Sequence, residues 1–372
     1  MSEIPVINDI TSNAGLRAAC ARWNDSPVLG LDTEFVREST YYPIAGLVQV
    51  GTADGVWLID PLTIDDWVPF RNLLENSKLP KVFHAAGEDI ELLVRLVGAA
   101  PEPLYDTQIG AALAGWGWSL SYQVLVQQRL GIAVEKDHTR SNWLRRPLSD
   151  AQRHYAAIDV VWLPTLFQLL YDELAAADRL QWWEEEGRRL VRAAEPVDPA
   201  LSYRRLNGAW RLRGAQVAAL QQLCEWREQQ ARTTDTPRGW ILKDGDCIEI
   251  ARRLPRNLPQ LAAVPELEPA KVRQYGADIL VVVAAARESD ESEWPASVTG
   301  PLPREWGPRL KRMRHLVEQR ASELGIAPEI LLRKRDCETI LRQQTWPAGL
   351  GGWREELLGT ELLALAREEL AS

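Results

Sequence analysis

Apolar residues recur along this chain with two different periods, and the change from one to the other marks its architecture. Val28, Leu29 and Leu31 open a strand that runs to Phe35. Leu47-Val48-Gln49-Val50 and Val56-Trp57-Leu58-Ile59 follow, separated by Gly51 and Gly55. Short apolar runs punctuated by glycine read as strands, and their close spacing predicts an antiparallel meander over 28–60. The period then lengthens. A short helix ends between Leu73 and Pro80, Lys81-Val82-Phe83-His84 is a brief strand, and Gly87-Glu88-Asp89 opens a helix with the stripe Ile90, Leu92, Leu93, Leu96 and Val97. Tyr105-Asp106-Thr107 predicts the start of an alanine-rich helix, and Ser149-Asp150 caps a helix running through His154 to Leu163. Strands followed by alternating strand and helix specify an α/β domain ending near residue 190.

Beyond it the pattern is helical and repeated. Residues 194–203 and Ser289 to Pro303 read as linkers rich in Pro, Glu or Ser. The helical regions after them match without gaps at an offset of 90: Leu220 with Leu310, Ala231 with Ala321, and Ile241-Leu242 with Leu331-Leu332. Lys243 pairs likewise with Arg333, Asp246-Cys247 with Asp336-Cys337, Ile250 with Ile340 and Arg252 with Arg342. Such a match predicts a tandem duplication of one small helical domain. The shared positions are mostly apolar and specify core. The basic residues carried with them are a solvated face or a nucleic-acid contact.

At 372 residues the chain exceeds one typical core. Its net charge of -9 argues against indiscriminate coating of nucleic acid. The charge is uneven: residues 1–200 carry 17 basic against 28 acidic residues, whereas residues 201–285 carry 13 against 9. No apolar run reaches membrane-spanning length, and the N-terminus lacks a signal pattern. Cys20, Cys224, Cys247 and Cys337 are scattered with no C-x-x-C, which predicts reduced thiols in a cytoplasmic protein. No phosphate-loop motif is present, which excludes a helicase.

Chemistry enters at Asp32-Thr33-Glu34. Residues two apart on a strand share a face, so both carboxylates project together from the strand end. Held side by side they repel unless a cation neutralises them. Asp89 at a helix start favours the helix dipole, which is a sufficient structural reason for it. Tyr155 and Asp159 are four apart on one helix and share a face; a packed tyrosine with a surface acid is the plain alternative.

Taken together, Leu31-Asp32-Thr33-Glu34-Phe35-Val36-Arg37 with Tyr41-Tyr42-Pro43, His84-Ala85-Ala86-Gly87-Glu88-Asp89, and Tyr155-x-x-x-Asp159 resemble the motifs of the DEDD exonucleases, and among them the ribonuclease D family. Arg140-Ser141-Asn142-Trp143-Leu144 with Arg146-Pro147-Leu148 is similar to the segment preceding that family's last motif. The duplicated region resembles tandem HRDC domains, with Pro237-Arg238-Gly239-Trp240-Ile241-Leu242-Lys243 like the first of them. The resemblance implies a ribonuclease H-like α/β catalytic domain over residues 1–195 and two all-α HRDC-like domains over 204–286 and 304–372. It further implies two divalent cations, Mg2+ or Mn2+, held by Asp32, Glu34, Asp89 and Asp159. Asp32, Glu34 and Asp159 would hold the metal that activates water, Asp32 would bridge to the second, and Tyr155 would orient the water. Thr33 and Phe35 would border the terminal nucleotide. His154 stands five before Asp159, where a sister branch uses histidine. It lies about 140° around the helix from Asp159 against about 40° for Tyr155, which favours Tyr155. The implied activity is 3'-5' trimming of RNA with a single-stranded 3' end, tRNA precursors foremost, with no membrane and no obligate protein partner. A DNA 3'-5' exonuclease and a non-catalytic RNA-binding scaffold are the alternatives.

Overall fold

Ile7–Ile10 (β1), Leu29–Val36 (β2), Ile44–Thr52 (β3), Gly55–Ile59 (β4), Lys81–Phe83 (β5) and Leu104–Asp106 (β6) build one sheet in the order β1-β4-β3-β2-β5-β6. The computed structural model describes residues 6–134 and 141–368. β3 and β4 form the expected antiparallel hairpin, but β1 joins β4 in parallel, as do β2 with β5 and β5 with β6. The sheet is therefore mixed rather than a simple meander. β1 escaped the apolar pattern because Asn8 and Asp9 fill half of its four positions. Tyr105 and Asp106 also depart from expectation. They lie in β6, and the helix starts only at Thr107, with the Asp106 carboxylate accepting from the Gln108 and Ile109 amides as its cap.

The helices of this α/β part are Asn13–Trp23 (α1), Val68–Leu74 (α2), Gly87–Val97 (α3), Thr107–Leu113 (α4), Tyr122–Leu130 (α5), Asp150–Val161 (α6), Leu163–Ala176 (α7) and Leu180–Ala193 (α8). Strand alternation divides them between two faces. Leu29, Leu31, Val48, Val50, Trp57 and Ile59 pack with Trp23, Phe70 and Ile90. Val28, Leu47, Val56 and Leu58 face the other way, toward Ala156, Val160, Leu163 and Leu166 of α6 and α7. On that second face α6 rests directly on the sheet at two glycines. A Cβ on Gly51 would lie 2.4 Å from the Val160 carbonyl oxygen, and one on Gly30 would lie 3.0 Å from that same oxygen. A Ser149–Gln152 capping box fixes where α6 begins.

The described chain divides into two compact units. The second takes Arg37–Ile44 and Pro196–Pro301. Its helices are Ala215–Thr233 (α9), Arg238–Ile241 (α10), Asp244–Arg253 (α11), Leu258–Ala262 (α12) and Pro269–Glu288 (α13), around Leu220, Leu223, Cys247, Ile250, Ile279 and Val283. The 37–44 segment is held there by Tyr41, whose hydroxyl donates to Glu228, and by Asp235, which accepts from the Tyr41 and Tyr42 amides at 3.1 and 3.0 Å. Arg232 and Arg238 converge on the same glutamate, and together with Tyr41 they outweigh its burial and pull its carboxyl down to about 2.

The helices after residue 301 belong instead to the first unit. They are Gly307–Leu324 (α14), Pro328–Leu331 (α15), Lys334–Gln343 (α16) and Trp353–Arg367 (α17). α15 and α16 repeat α10 and α11 at the offset of 90, with matching local devices. The Lys243 amide donates to Asp246 at 3.0 Å as the Arg333 amide does to Asp336 at 2.9 Å. Both helices also end on a left-handed residue, Leu254 and Gln344. A buried ion pair joins this region to α8: Glu186 receives Arg354 and the Trp353 indole, while Arg354 also donates to the Ile330 and Leu331 carbonyls. Both charged groups are almost wholly buried. The four cysteines are free and buried, and among the described residues no helix is long and apolar enough to cross a membrane.

Removing one member of a buried pair leaves the other charged and unpaired, so Glu186→Ala is expected to destabilise this unit by about 3–5 kcal/mol, read as the shift of a urea denaturation curve. Gly51→Ala is expected to cost about 1–3 kcal/mol in the same assay, because its methyl overlaps the α6 backbone. An unshifted curve would mean that α6 does not rest on the sheet at this point.

Candidate active site

The alternation of β2 distributes its polar residues between the two faces of the sheet. Asp32 and Glu34 point to the α6 side, where they meet Asp159, and ligand oxygens of the three lie within 4.8 Å of one another. Thr33 points the other way, toward α3, and its hydroxyl donates to Asp89 Oδ1 at 2.5 Å. One strand thus reaches all three other polar members of the site, two directly across one face and Asp89 through Thr33. Asp89 sits in the first turn of α3 and is buried. Tyr155 lies one turn before Asp159 on α6, packs its ring 6.1 Å from that of Trp143, and faces Asp159, Glu34 and Asp32 closely enough for their charges to act on its phenol.

Burial and mutual repulsion act together on these groups. Burial, followed by the charges of Asp89, Asp159 and Glu34, holds the Asp32 carboxyl well above the usual range. Glu34 is pushed up to about 8 by burial and by Asp159 and Asp89. Burial raises Asp159 to about 7 against the hydrogen bond from Tyr155, and raises Asp89 to about 6 against that from Thr33. The Tyr155 phenol rises by burial first and then by the facing acids, so it stays protonated at neutral pH. Four carboxylates packed together, Asp89 buried and the other three half-buried, do not all ionise at neutral pH without positive charge among them. Their oxygens are hard donors, and the set fits divalent cations that prefer carboxylate and water.

The structure places the remaining sequence candidates as follows. Phe35 follows on β2 and is partly exposed. Thr33 is buried with its hydroxyl engaged by Asp89. His154 is exposed on α6, whereas Tyr155 reaches Asp159. His84 lies just beyond β5 with both ring nitrogens engaged, by Thr107 Oγ1 at 2.9 Å and the Leu120 carbonyl at 3.0 Å. Burial keeps its imidazole below the ordinary value. It anchors the 114–121 loop. Arg140, at the start of the segment similar to that before the family's last motif, lies outside the described residues.

Three further residues support the site; the sequence pointed to Arg146 only within the segment before the last motif, and did not single out Tyr122 or Gln49. Arg146 grips Asp60 through two 2.6 Å hydrogen bonds and also donates to the Trp143 and Gly46 carbonyls, so it holds the segment that backs Tyr155. The Tyr122 hydroxyl donates to the Ile158 carbonyl at 2.9 Å and accepts from the Trp162 amide at 3.2 Å, bracing the end of α6. Gln49 on β3 approaches Asp32 Oδ2 at 3.4 Å. Of the two not singled out, only Gln49 left a signal, as a polar residue inside an apolar strand run.

The raised carboxyls also fix the sign of a pH effect. Their folded values lie above those of the unfolded chain, so the cation-free fold binds more protons than the unfolded state. The stability they contribute is complete below about pH 4 and is lost as pH rises through about 6 to 8. In EDTA the melting temperature is expected to fall between pH 5 and about pH 8.5, and added Mn2+ is expected to remove that fall while changing little at pH 5. Parallel curves with and without cation would contradict this.

Comparison with known proteins agrees with this geometry. Residues 7–175 match the family described as 3'-5' exonuclease, and residues 216–283 match the HRDC domain. A ribonuclease D of Pseudomonas paraeruginosa is 43% identical over 366 residues, spanning 96% of this chain and 97% of that protein. The crystal structure of Escherichia coli RNase D, described as an exoribonuclease involved in structured RNA processing, superposes with a TM-score of 0.91 at 31% identity, covering 97% of this chain and 98% of that one. A protein from Bifidobacterium adolescentis shares the fold over 97% of both chains, with a TM-score of 0.66 at 23% identity. The exonuclease family uses divalent metal, and the acid cluster is where this chain offers the ligands. With close relatives matched from end to end, the chain belongs to the ribonuclease D family of 3'-5' exoribonucleases.

Proposed function

We propose that this chain trims structured RNAs, tRNA precursors among them, from a single-stranded 3' end and releases 5'-mononucleotides. The observation that carries the reading is the meeting of Asp32, Glu34 and Asp159 oxygens within 4.8 Å beside the Tyr155 hydroxyl. Asp32, Glu34 and Asp159 would hold one divalent cation, and Asp32 with Asp89 would serve a second. Mg2+ or Mn2+ bound there supplies charge for the phosphate oxygens and lowers the pKa of the attacking water.

The chain's own residues do the rest. The Tyr155 hydroxyl, one turn from Asp159 on α6, stays protonated and has oxygen lone pairs to accept a hydrogen bond from the attacking water and align it. Its raised pKa keeps the phenol protonated at neutral pH, so it orients the water and does not take its proton. Thr33 keeps the Asp89 carboxylate turned toward the cluster. Phe35, next along β2 and partly exposed, is placed to border the terminal base. The HRDC domain at 216–283 and the helices after residue 306, read as a second copy of it, would contact the RNA body. Free, buried thiols suit the reducing cytoplasm as the site of action.

The test is end-resolved cleavage of matched RNA and DNA 3' overhangs with Mg2+ or Mn2+. Asp32→Asn is expected to abolish cleavage while keeping RNA binding. Tyr155→Phe is expected to lower turnover about 100-fold or more, with His154→Ala near wild type. Cleavage by Asp32→Asn would overturn the metal assignment, and faster removal of DNA would make the chain a DNA exonuclease.

A further inference from the structure

Gln49 is wholly buried, yet nothing in the hydrophobic packing requires an amide there. It stands on β3 between Val48 and Val50, which face the α1–α3 side, and so points with Leu47 and Gly51 toward α6. That is the face from which Asp32 projects on the neighbouring strand. Its Nε2 lies 3.4 Å from Asp32 Oδ2. Its Oε1 is buried and has no hydrogen-bond partner among the described residues. The opposite orientation of the amide would set two acceptors, Oε1 and Oδ2, against each other, so the donor faces the carboxylate. A buried acceptor without a donor is costly, and such atoms persist where a bound group supplies the donor.

We propose that Gln49 is a positioning residue of the metal centre. Its amide N–H holds the Asp32 carboxylate in the rotamer that meets Glu34 and Asp159, and its Oε1 accepts a hydrogen bond from a water of a hydrated divalent cation. Both roles follow from chemistry on the page. A hydrogen bond to an ionised carboxylate, the form a metal ligand must take, is charge-assisted and stronger than a neutral one. Hard divalent cations keep several waters, whose O–H groups are the donor class that Oε1 lacks. Outer partners that orient ligands in this way alter metal affinity by about 10- to 100-fold when removed. The proposal rests on the metal-centre reading of Asp32.

Mn2+ binding to the RNA-free protein, measured by titration calorimetry, tests it in the full chain. Gln49→Met keeps the volume but removes donor and acceptor. It is expected to weaken Mn2+ binding about 10- to 100-fold, with the melting temperature in EDTA equal to or above wild type because a mismatched acceptor is gone. Asp32→Asn is expected to lose binding altogether. Wild-type affinity in Gln49→Met alongside lost binding in Asp32→Asn would overturn the role of Gln49 and leave the metal centre standing. Undiminished binding in Asp32→Asn would instead overturn the metal centre, and this inference with it. A second measurement needs no substitution: the Gln49 side-chain NH2 resonance of wild type is expected to shift on Mg2+ titration in step with binding. A resonance that stays fixed at saturating Mg2+ would contradict the proposal.

Discussion

Carboxylates that repel one another in a buried place are the constraint on which this molecule turns. Asp32, Glu34, Asp89 and Asp159 each have a pKa raised above the ordinary carboxylate range, with burial as the largest cause in every case. A protein gains no stability from such a cluster. We read the cluster as a cation site: cations held there would restore full ionisation and lend their charge to a phosphate. The fold around the cluster can be understood as the frame that holds four like charges where they would not otherwise stay.

That frame is built from backbone more than from side chains. β2 uses its two-residue period to send Asp32 and Glu34 to one face and Thr33 to the other, so α6 and α3 each bring an acid to the same strand. Glycines at 30 and 51 let α6 lie against the sheet, and Tyr122 and Arg146 fix the helix end and the segment behind Tyr155. The C-terminal helices extend the same hydrophobic core through Met313, Val317 and Ile340, and the buried Glu186–Arg354 pair fastens them. A helical region distant in sequence is thereby part of the unit that carries the acids.

Asp89 was legible only through the family motif, whereas the pairs Asp32–Glu34 and Tyr155–Asp159 were legible because each is local, i and i+2 on a strand and i and i+4 on a helix. The repeat at an offset of 90 was legible for the same reason, since matched caps and core positions recur in register. What escaped depends on residues far apart in the chain. β1 and β6 are short strands defined by their partners and not by their own pattern. The glycines acquire meaning only when α6 is laid over them, and Arg146 only when Asp60 is found 86 residues away. The role of His84 is decided by hydrogen bonds to Thr107 and Leu120 that are invisible in sequence.

The central claim is that the acid cluster is a two-cation centre. Anomalous diffraction at the manganese edge, from crystals soaked in Mn2+, reads it directly. The account predicts two peaks about 3.5–4 Å apart, one in contact with Asp32, Glu34 and Asp159 and the other beside Asp32 on the Asp89 side. An empty cluster at saturating Mn2+, or peaks bound only elsewhere on the chain, would contradict it.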